Sequence, residues 1–181
     1  MIYLSGFGYE NKLEDPSKLF AKTWSSKSFI NGPAVNDFEE QFAQFCEAEK
    51  CVAVSSCTNA LQLSLLALGI GPGDEVITVP YTWVSSVEVI RQVGATPVFV
   101  DISLNDMCID PKEVAKKISV KTKAIIGVDL YGNVCDIDEL KKFNVPVIQD
   151  SAQSTGAFYK GKRVGGIADL TCFSFYPTKN L

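Results

Sequence analysis

Short apolar segments with high β propensity alternate with amphipathic helical segments along most of this chain. The predicted strands are CVAVSS (51–56), EVITVP (75–80), TPVFVDI (96–102), TKAIIGVDL (122–130), VPVIQD (145–150) and DLTCFSFY (169–176). The predicted helices between them include NALQLSLLAL, VSSVEVIRQVG, DPKEVAKKI and DIDELKKF. Strands that are apolar on both faces and alternate with helices are typical of a parallel sheet covered on both sides. The sequence therefore predicts an α/β fold of three layers, with a mostly parallel sheet between helices on both faces.

The first 35 residues do not follow this alternation. The segment FINGPAV is predicted to be a loop, and it leads into a helix over NDFEEQFAQFCE. We therefore interpret residues 1–35 as an N-terminal arm and residues 36–181 as the α/β domain.

Composition argues against several classes of function. The net charge of −4 is spread along 181 residues without charged blocks, which gives no reason to expect a nucleic acid or a membrane as a partner. The N-terminus lacks the basic start and the apolar run of a signal peptide or membrane span, so we expect a cytoplasmic protein. Six cysteines without a C-x-x-C pair, and no histidine, argue against a zinc site and exclude Ser-His-Asp or Cys-His catalysis within the chain.

A candidate phosphate site lies where a predicted strand passes directly into a helix, in VAVSSCTNALQL. The first backbone N–H groups of a helix and the positive end of its dipole favour an anion, and the hydroxyls of Ser56 and Thr58 could assist. Ordinary N-capping by a hydroxyl residue is the alternative. Ligands of such sheets bind at the carboxyl ends of the strands, which is where this junction is predicted to lie.

Further candidates follow other predicted strands. Asp150 ends VPVIQD, where a buried carboxylate needs a cation or several donors unless it caps a following helix. Gln153 lies three residues later, close enough to face the same crevice. Trp83 could present a flat face to a ring or belong to the core. Lys179 follows a strand and a proline turn; it is either a surface lysine or a desolvated amine able to form a Schiff base.

These candidates together match the needs of one cofactor. Pyridoxal 5′-phosphate requires an amine for its aldehyde, a carboxylate for its pyridine nitrogen, a phosphate site and a flat group against its ring. No P-loop is present, and GIGPG follows a helix rather than a strand, so neither an NTPase nor a dehydrogenase is supported.

From FINGPAVNDFEEQFAQF to its last residue, the sequence resembles the fold type I, pyridoxal-phosphate-dependent sugar aminotransferases of the DegT/DnrJ/StrS type. The resemblance rests on four ordered blocks: VSSCTNALQLSLLALGIGPGDEVITVPYTWVSSVEVIRQVGATPVFVDI, TKAIIGVDLYGNVCDIDEL, VPVIQDSAQSTGAFYKGKRVGG and DLTCFSFYPTKNL. It implies transfer of an amino group, usually from glutamate, to a keto carbon of a nucleotide-linked deoxysugar or sometimes a cyclitol. Relatives that carry histidine in place of the lysine act as dehydratases, so Lys179 favours transamination.

The resemblance also implies roles for individual residues. Lys179 would hold the cofactor covalently and shuttle protons once the substrate displaces it. Asp150 would pair with the pyridinium, and Gln153 would hydrogen-bond the phenolic oxygen. The remaining roles are stacking on the ring by Trp83 and phosphate binding by Thr58, Asn59 and Ser174.

Two features depart from the family pattern. Cys57 occupies a position where the family usually has glycine, in the loop that leads to the phosphate site. The family's chains also continue after the lysine into a small C-terminal domain, and a neighbouring subunit completes each active site. We therefore expect the N-terminal half of an aminotransferase, without the small domain, from a protein that is a homodimer when full length. A non-catalytic truncated remnant, or a partner of a complete homologue, is the alternative.

Overall fold

The computed structural model describes residues 16–179, so residues 1–15 of the predicted N-terminal arm lie outside the described residues. The helices are α1 Pro16–Ser26, α2 Pro33–Phe45, α3 Cys57–Ala67, α4 Ser85–Gln92, α5 Pro111–Lys117 and α6 Ile137–Lys141, with a 3₁₀ turn at Leu130–Gly132. The strands are β1 Glu75–Thr78, β2 Thr96–Phe99, β3 Thr122–Val128, β4 Val147–Asp150, β5 Phe158–Tyr159, β6 Lys162–Arg163 and β7 Leu170–Cys172. Between residues 16 and 179, no helix has the length and apolar character needed to cross a bilayer.

Five of the strands form one parallel sheet in the order β2-β1-β3-β4-β7. The chain passes outward from β1 to β2, returns across β1 to β3, and then continues to β4 and β7. Because such crossovers are right-handed, α4 lies on one face of the sheet and α5 and α6 lie on the other. Helix α3 packs beside α4. The α/β fold class is confirmed, and the reversal of direction between β1 and β3 leaves a crevice at their carboxyl ends.

The central strands are apolar because both of their faces are covered. Six of the seven residues of β3 are buried, and all four residues of β4 are buried. The side chains of Ile77, Ile126 and Ile148 are completely inaccessible, and helix residues such as Leu61 and Leu140 pack into the same core. Burial at about 25 cal/mol per Å² makes this apolar layer the main stabilising contribution. The strand ends are therefore held in a rigid row.

The prediction of a strand over residues 51–56 is wrong. Residues 51–54 are not assigned to any strand, and Val52 is 75% exposed. The backbone N–H of Ala53 donates to Glu39 Oε1 at 2.7 Å rather than to a neighbouring strand. High β propensity describes side chains that suit a half-buried sheet, and it does not supply a partner for the backbone. The predicted strand over residues 169–176 is also shorter, ending at Cys172.

A small antiparallel hairpin, β5 and β6, was not predicted from the sequence, and it packs against α2. Lys160 and Gly161 connect its strands, and both have positive φ angles of 49° and 81°. This conformation is that of a two-residue type I′ turn, which favours glycine at its second position. The Arg163 guanidinium lies over the rings of Phe45 and Phe158, at 4.2 and 4.6 Å from their centroids. These stacked contacts join the hairpin to α2.

Gly165, just after the hairpin, provides a test of this packing. Its φ is +136°, and a Cβ added there would lie 2.4 Å from Cys46 Cβ. We expect Gly165→Ala to lower the free energy of unfolding by about 3 kcal/mol, because backbone strain and overpacking add. Gly161→Ala is the control, since its φ is also positive but no atom lies within 4 Å of the added Cβ. It should cost only about 1 kcal/mol. Equal losses in urea unfolding would contradict the packing described for Gly165.

Candidate active site

A cavity of about 420 Å³ opens at the carboxyl ends of the parallel strands, and its volume is typical of small-molecule sites. Its wall includes residues that follow β1, β3, β4 and β7, together with the first turn of α3. Six of the seven predicted site residues line it: Thr58, Trp83, Asp150, Gln153, Ser174 and Lys179. Asn59 does not line it. The single sheet edge expected from the sequence is therefore the place where these side chains meet.

Asp150, the last residue of β4, is a buried carboxylate whose close partners are hydrogen-bond donors. It is only 5% exposed, and none of the four ion pairs found within residues 16–179 includes it. Ser86 Oγ donates to Oδ2 at 2.7 Å, and the Ala152 N–H donates to Oδ1 at 3.2 Å. Burial raises the pKa of Asp150, while these donors and the nearby Lys179 oppose the rise. A turn rather than a helix follows, so Asp150 is not a helix cap.

Gln153 has an orientation that its hydrogen bonds determine. Its Oε1 accepts the backbone N–H of Tyr131 at 2.8 Å. A backbone N–H can only donate, so the amide oxygen must face Tyr131 and the Nε2 group is left as the available donor. Because Gln153 also lines the cavity, it can offer a hydrogen-bond donor to an acceptor bound there.

The N-terminus of α3 is capped by a hydroxyl residue and still has donors available for an anion, so the two interpretations of this segment are compatible. Ser56 is the N-cap, and its Oγ accepts the Asn59 N–H at 3.1 Å. The N–H groups of Cys57 and Thr58 come earlier in the first turn and have no acceptor within the helix. The Thr58 hydroxyl lies 2.9 Å from Ser85 Oγ, and both residues line the cavity. N-capping therefore leaves two backbone donors for an anion, together with the one hydroxyl proton of Thr58 and Ser85 that their mutual hydrogen bond does not use.

Asn59 and Ser174 differ in how they relate to this anion site. The Asn59 side chain donates from Nδ2 to Ser55 Oγ at 2.5 Å, and its backbone N–H donates to Ser56 Oγ, so this N–H is not available to an anion as the sequence predicted. Ser174 follows β7 and lines the cavity, and its Oγ accepts the Tyr176 N–H at 3.4 Å. The Ser174 hydroxyl proton can therefore be donated to a bound ligand.

Cys57 is accommodated without a glycine. It is the first residue of α3 and is 9% exposed, with its Sγ 3.8 Å from Asp150 Oδ1. Burial and the nearby Asp150 carboxylate raise the pKa of the Cys57 thiol, so it stays protonated. The thiol thus contacts Asp150 as a weak donor, while the backbone keeps the helical conformation that the anion site requires.

Lys179 and Trp83 complete the cavity wall. The Lys179 N–H donates to the Tyr176 carbonyl at 2.8 Å, which closes the turn that contains Pro177. The lysine is half-buried and lines the cavity, so it is not a fully solvated surface residue. Trp83 is 72% exposed and also lines the cavity, so it is not a core residue.

Asp129, the residue after β3, was not predicted from the sequence as a site residue. Asp129 is completely buried at the cavity wall, and burial raises its pKa to about 6. The signal that identified Asp150, a carboxylate directly after an apolar strand, is also present here in TKAIIGVDL. Ser86 was missed as well, because its role depends on the hydroxyl contact with Asp150.

Two curated proteins with similar sequences have names that describe aminotransferases of sugar nucleotides. The UDP-2-acetamido-2-deoxy-3-oxo-D-glucuronate aminotransferase of Pseudomonas aeruginosa is 44% identical over 84% of this chain and 44% of its own length. The dTDP-3-amino-3,4,6-trideoxy-alpha-D-glucose transaminase of Streptomyces venezuelae is 39% identical over 96% of this chain and 47% of its own length. The chain thus spans less than half the length of these relatives.

Solved structures share the fold. Streptomyces venezuelae DesV, in complex with a ketimine intermediate, has a TM-score of 0.88 and 40% identity, over 91% of this chain and 46% of that chain. NtdA from Bacillus subtilis, with bound cofactor PMP, has a TM-score of 0.84 and 32% identity, over 91% of this chain and 38% of that chain. The model of the DegT/DnrJ/EryC1/StrS aminotransferase family matches residues 11–181. The chain therefore belongs to the DegT/DnrJ/EryC1/StrS aminotransferase family.

Proposed function

We propose that the protein is a pyridoxal 5′-phosphate-dependent aminotransferase that moves an amino group from glutamate to a keto carbon of a nucleotide-linked deoxysugar. The observation that carries this proposal is the joint position of Lys179, Asp150 and the α3 N-terminus around one cavity. The sugar-nucleotide names of the relatives from P. aeruginosa and S. venezuelae support the substrate class. PMP is the amino form of the proposed cofactor, which makes the PMP-bound NtdA structure relevant to this site.

The residues fit the chemical groups of pyridoxal 5′-phosphate. The buried Asp150 carboxylate takes part in none of the four ion pairs found within residues 16–179, and it complements a protonated ring nitrogen. Gln153 Nε2 is the available donor for the phenolic oxygen. The phosphate would be bound by the first-turn N–H groups of α3 with Thr58 and Ser174. When bound, the cofactor supplies a ring that withdraws electrons from the reacting carbon.

Lys179, Asp150 and Trp83 would have different roles in the reaction. Lys179 would hold the cofactor through its amine, and once released that amine would take a proton from the substrate carbon and return one. Asp150 would keep the ring nitrogen protonated, which requires the ionised carboxylate that its donors from Ser86 and Ala152 favour. Trp83, exposed at the cavity, would cover one face of the ring and exclude water there.

We further propose that the protein acts as a homodimer in the cytoplasm. Within residues 16–179, which include all six cysteines, no disulfide is formed. Reduced cysteines are typical of proteins in a reducing compartment. The dimer is inferred from the family resemblance, in which a neighbouring subunit completes each active site.

Substitution of Lys179 tests the cofactor. Protein reconstituted with pyridoxal 5′-phosphate should show a visible absorbance band that resists dialysis, because the aldehyde is covalently held. We expect Lys179→Ala to lose this band while still folding. Lys162→Ala is the matched control, since Lys162 is exposed on β6 and should leave the band unchanged. An undiminished band in Lys179→Ala would rule out Lys179 as the attachment residue.

Asp150→Asn tests the role of the buried charge. Asparagine keeps the shape but cannot stabilise a proton on the ring nitrogen, so the rate of amino transfer should fall by about 100-fold, or about 2.7 kcal/mol of activation free energy. Asp101→Asn is the control, because Asp101 is an exposed carboxylate soon after β2 and outside the cavity. Single-turnover kinetics measure both variants. A wild-type rate in Asp150→Asn would remove the carboxylate from the mechanism.

The substrate class requires a product assay. Incubation with glutamate and a keto-deoxysugar nucleotide should yield an amino sugar nucleotide and 2-oxoglutarate in equal amounts, measured by mass spectrometry. The Lys179→Ala protein is the negative control. Cofactor binding without any amination of UDP- or dTDP-linked keto sugars would overturn the proposed substrate class while leaving the cofactor assignment intact.

A further inference from the structure

The buried carboxylate of Asp129 connects the end of β3 to the end of β4 through hydrogen bonds. It accepts the Cys135 N–H at Oδ1, at 3.0 Å. Its Oδ2 accepts three further hydrogen bonds, from Gln149 Nε2 at 2.8 Å, Ser151 Oγ at 2.9 Å and Ser154 Oγ at 2.8 Å. A carboxylate with this many donors can remain buried, whereas an unpartnered one could not.

The donors to Oδ2 come from β4 and from the loop that follows it. Residues 151–154 form turns rather than a helix or strand, so they depend on tertiary contacts for their position. Two of the four loop residues, Ser151 and Ser154, are tied by their hydroxyls to Asp129. The ties lie on either side of Ala152 and Gln153, the two residues that contribute to the cavity.

The tied loop carries two of the contacts on which the proposed site depends. The Ala152 N–H donates to Asp150 Oδ1 at 3.2 Å. Gln153 Oε1 accepts the Tyr131 N–H at 2.8 Å, which directs the other amide group away from Tyr131. Tyr131 is itself close in sequence to Asp129 and has a positive φ of 59°. Both ends of the Gln153 contact are therefore anchored near the Asp129 carboxylate.

We propose that Asp129 is a positioning residue, which fixes residues 151–154 so that Ala152 and Gln153 present their hydrogen-bonding groups correctly to Asp150 and to the cofactor. This inference rests on the proposed cofactor for its functional consequence. Its structural part, the fixing of the loop, does not depend on any ligand. Asp129 acts through the two serines, so removal of their hydroxyls should reproduce the effect of changing Asp129 itself.

The decisive variant is the double substitution Ser151→Ala and Ser154→Ala. It keeps the Asp129 side chain and its hydrogen bonds to Cys135 and Gln149 but removes both hydrogen bonds to the loop. Asp129→Asn is the second variant. The control is Ser119→Ala, because the Ser119 hydroxyl also donates to a carboxylate, that of Glu75, but in a turn before β3 at the other end of the sheet.

Hydrogen exchange of the protein without cofactor is the first measurement. We expect the amides of residues 152–154 to exchange about tenfold faster in the double variant and in Asp129→Asn, since the hydrogen bonds that hold the loop are removed or weakened. The Ser119→Ala control should leave these amides unchanged. Wild-type exchange rates in the double variant would overturn the proposal.

Titration with pyridoxal 5′-phosphate is the second measurement. We expect the double variant to bind the cofactor about tenfold more weakly. The midpoint of the pH-dependent absorbance change of the bound cofactor should move to higher pH, because Gln153 no longer stabilises the phenolate oxygen. A change in exchange with no change in affinity or midpoint would reduce Asp129 to a structural role and overturn the proposal. Weak binding by Asp129→Asn alone would place Asp129 on the cofactor itself, which also overturns it.

The two proposals can fail separately. If the wild-type protein does not bind pyridoxal 5′-phosphate, the proposed function fails, and with it the cofactor part of this inference. The exchange rates of residues 152–154 still decide whether Asp129 fixes the loop.

Discussion

The burial of the Asp150 carboxylate is the constraint around which the site is arranged. Its donors come from three separate elements: Cys57 at the start of α3, Ser86 in α4 and Ala152 in the loop after β4. Ionising a buried carboxylate is costly unless such donors bond to it. The start of α3, α4 and the loop after β4 therefore pack together around Asp150. The same contacts that make the charge tolerable also form the wall of the cavity. Stability and site geometry therefore depend on one set of hydrogen bonds.

Burial of a second carboxylate, that of Asp129, makes the stability of the fold depend on pH. Its pKa in the folded protein is about 6, above the ordinary value of 3.8, because desolvation outweighs the hydrogen bonds it receives. The folded chain then binds this proton more tightly than the unfolded chain does. The resulting contribution to stability is present at low pH and is lost as the pH rises through about 6. At neutral pH the apolar core must offset the cost of keeping Asp129 ionised and buried.

The sequence predicted what depends on local pattern. Apolar runs identified β1, β3 and β4, and the positions of Trp83, Asp150 and Lys179 after predicted parallel strands placed them at one edge of the sheet. It failed at residues 51–56, because strand formation requires a backbone partner that the segment does not itself encode. It also missed Asp129, whose bonds to Ser151 and Ser154 span more than 20 residues and depend on the register of β3 against β4.

The start of α3 explains why two competing interpretations of one segment are compatible. Ser56 uses its side chain to cap Asn59, which satisfies one of the first N–H groups, and leaves those of Cys57 and Thr58. Turning the Cys57 side chain toward Asp150 keeps it from occupying the space before those N–H groups. Cysteine can thus replace glycine at position 57, because its thiol is accommodated in contact with the buried Asp150 carboxylate. The anion site and the carboxylate site are consequently linked through a single cysteine.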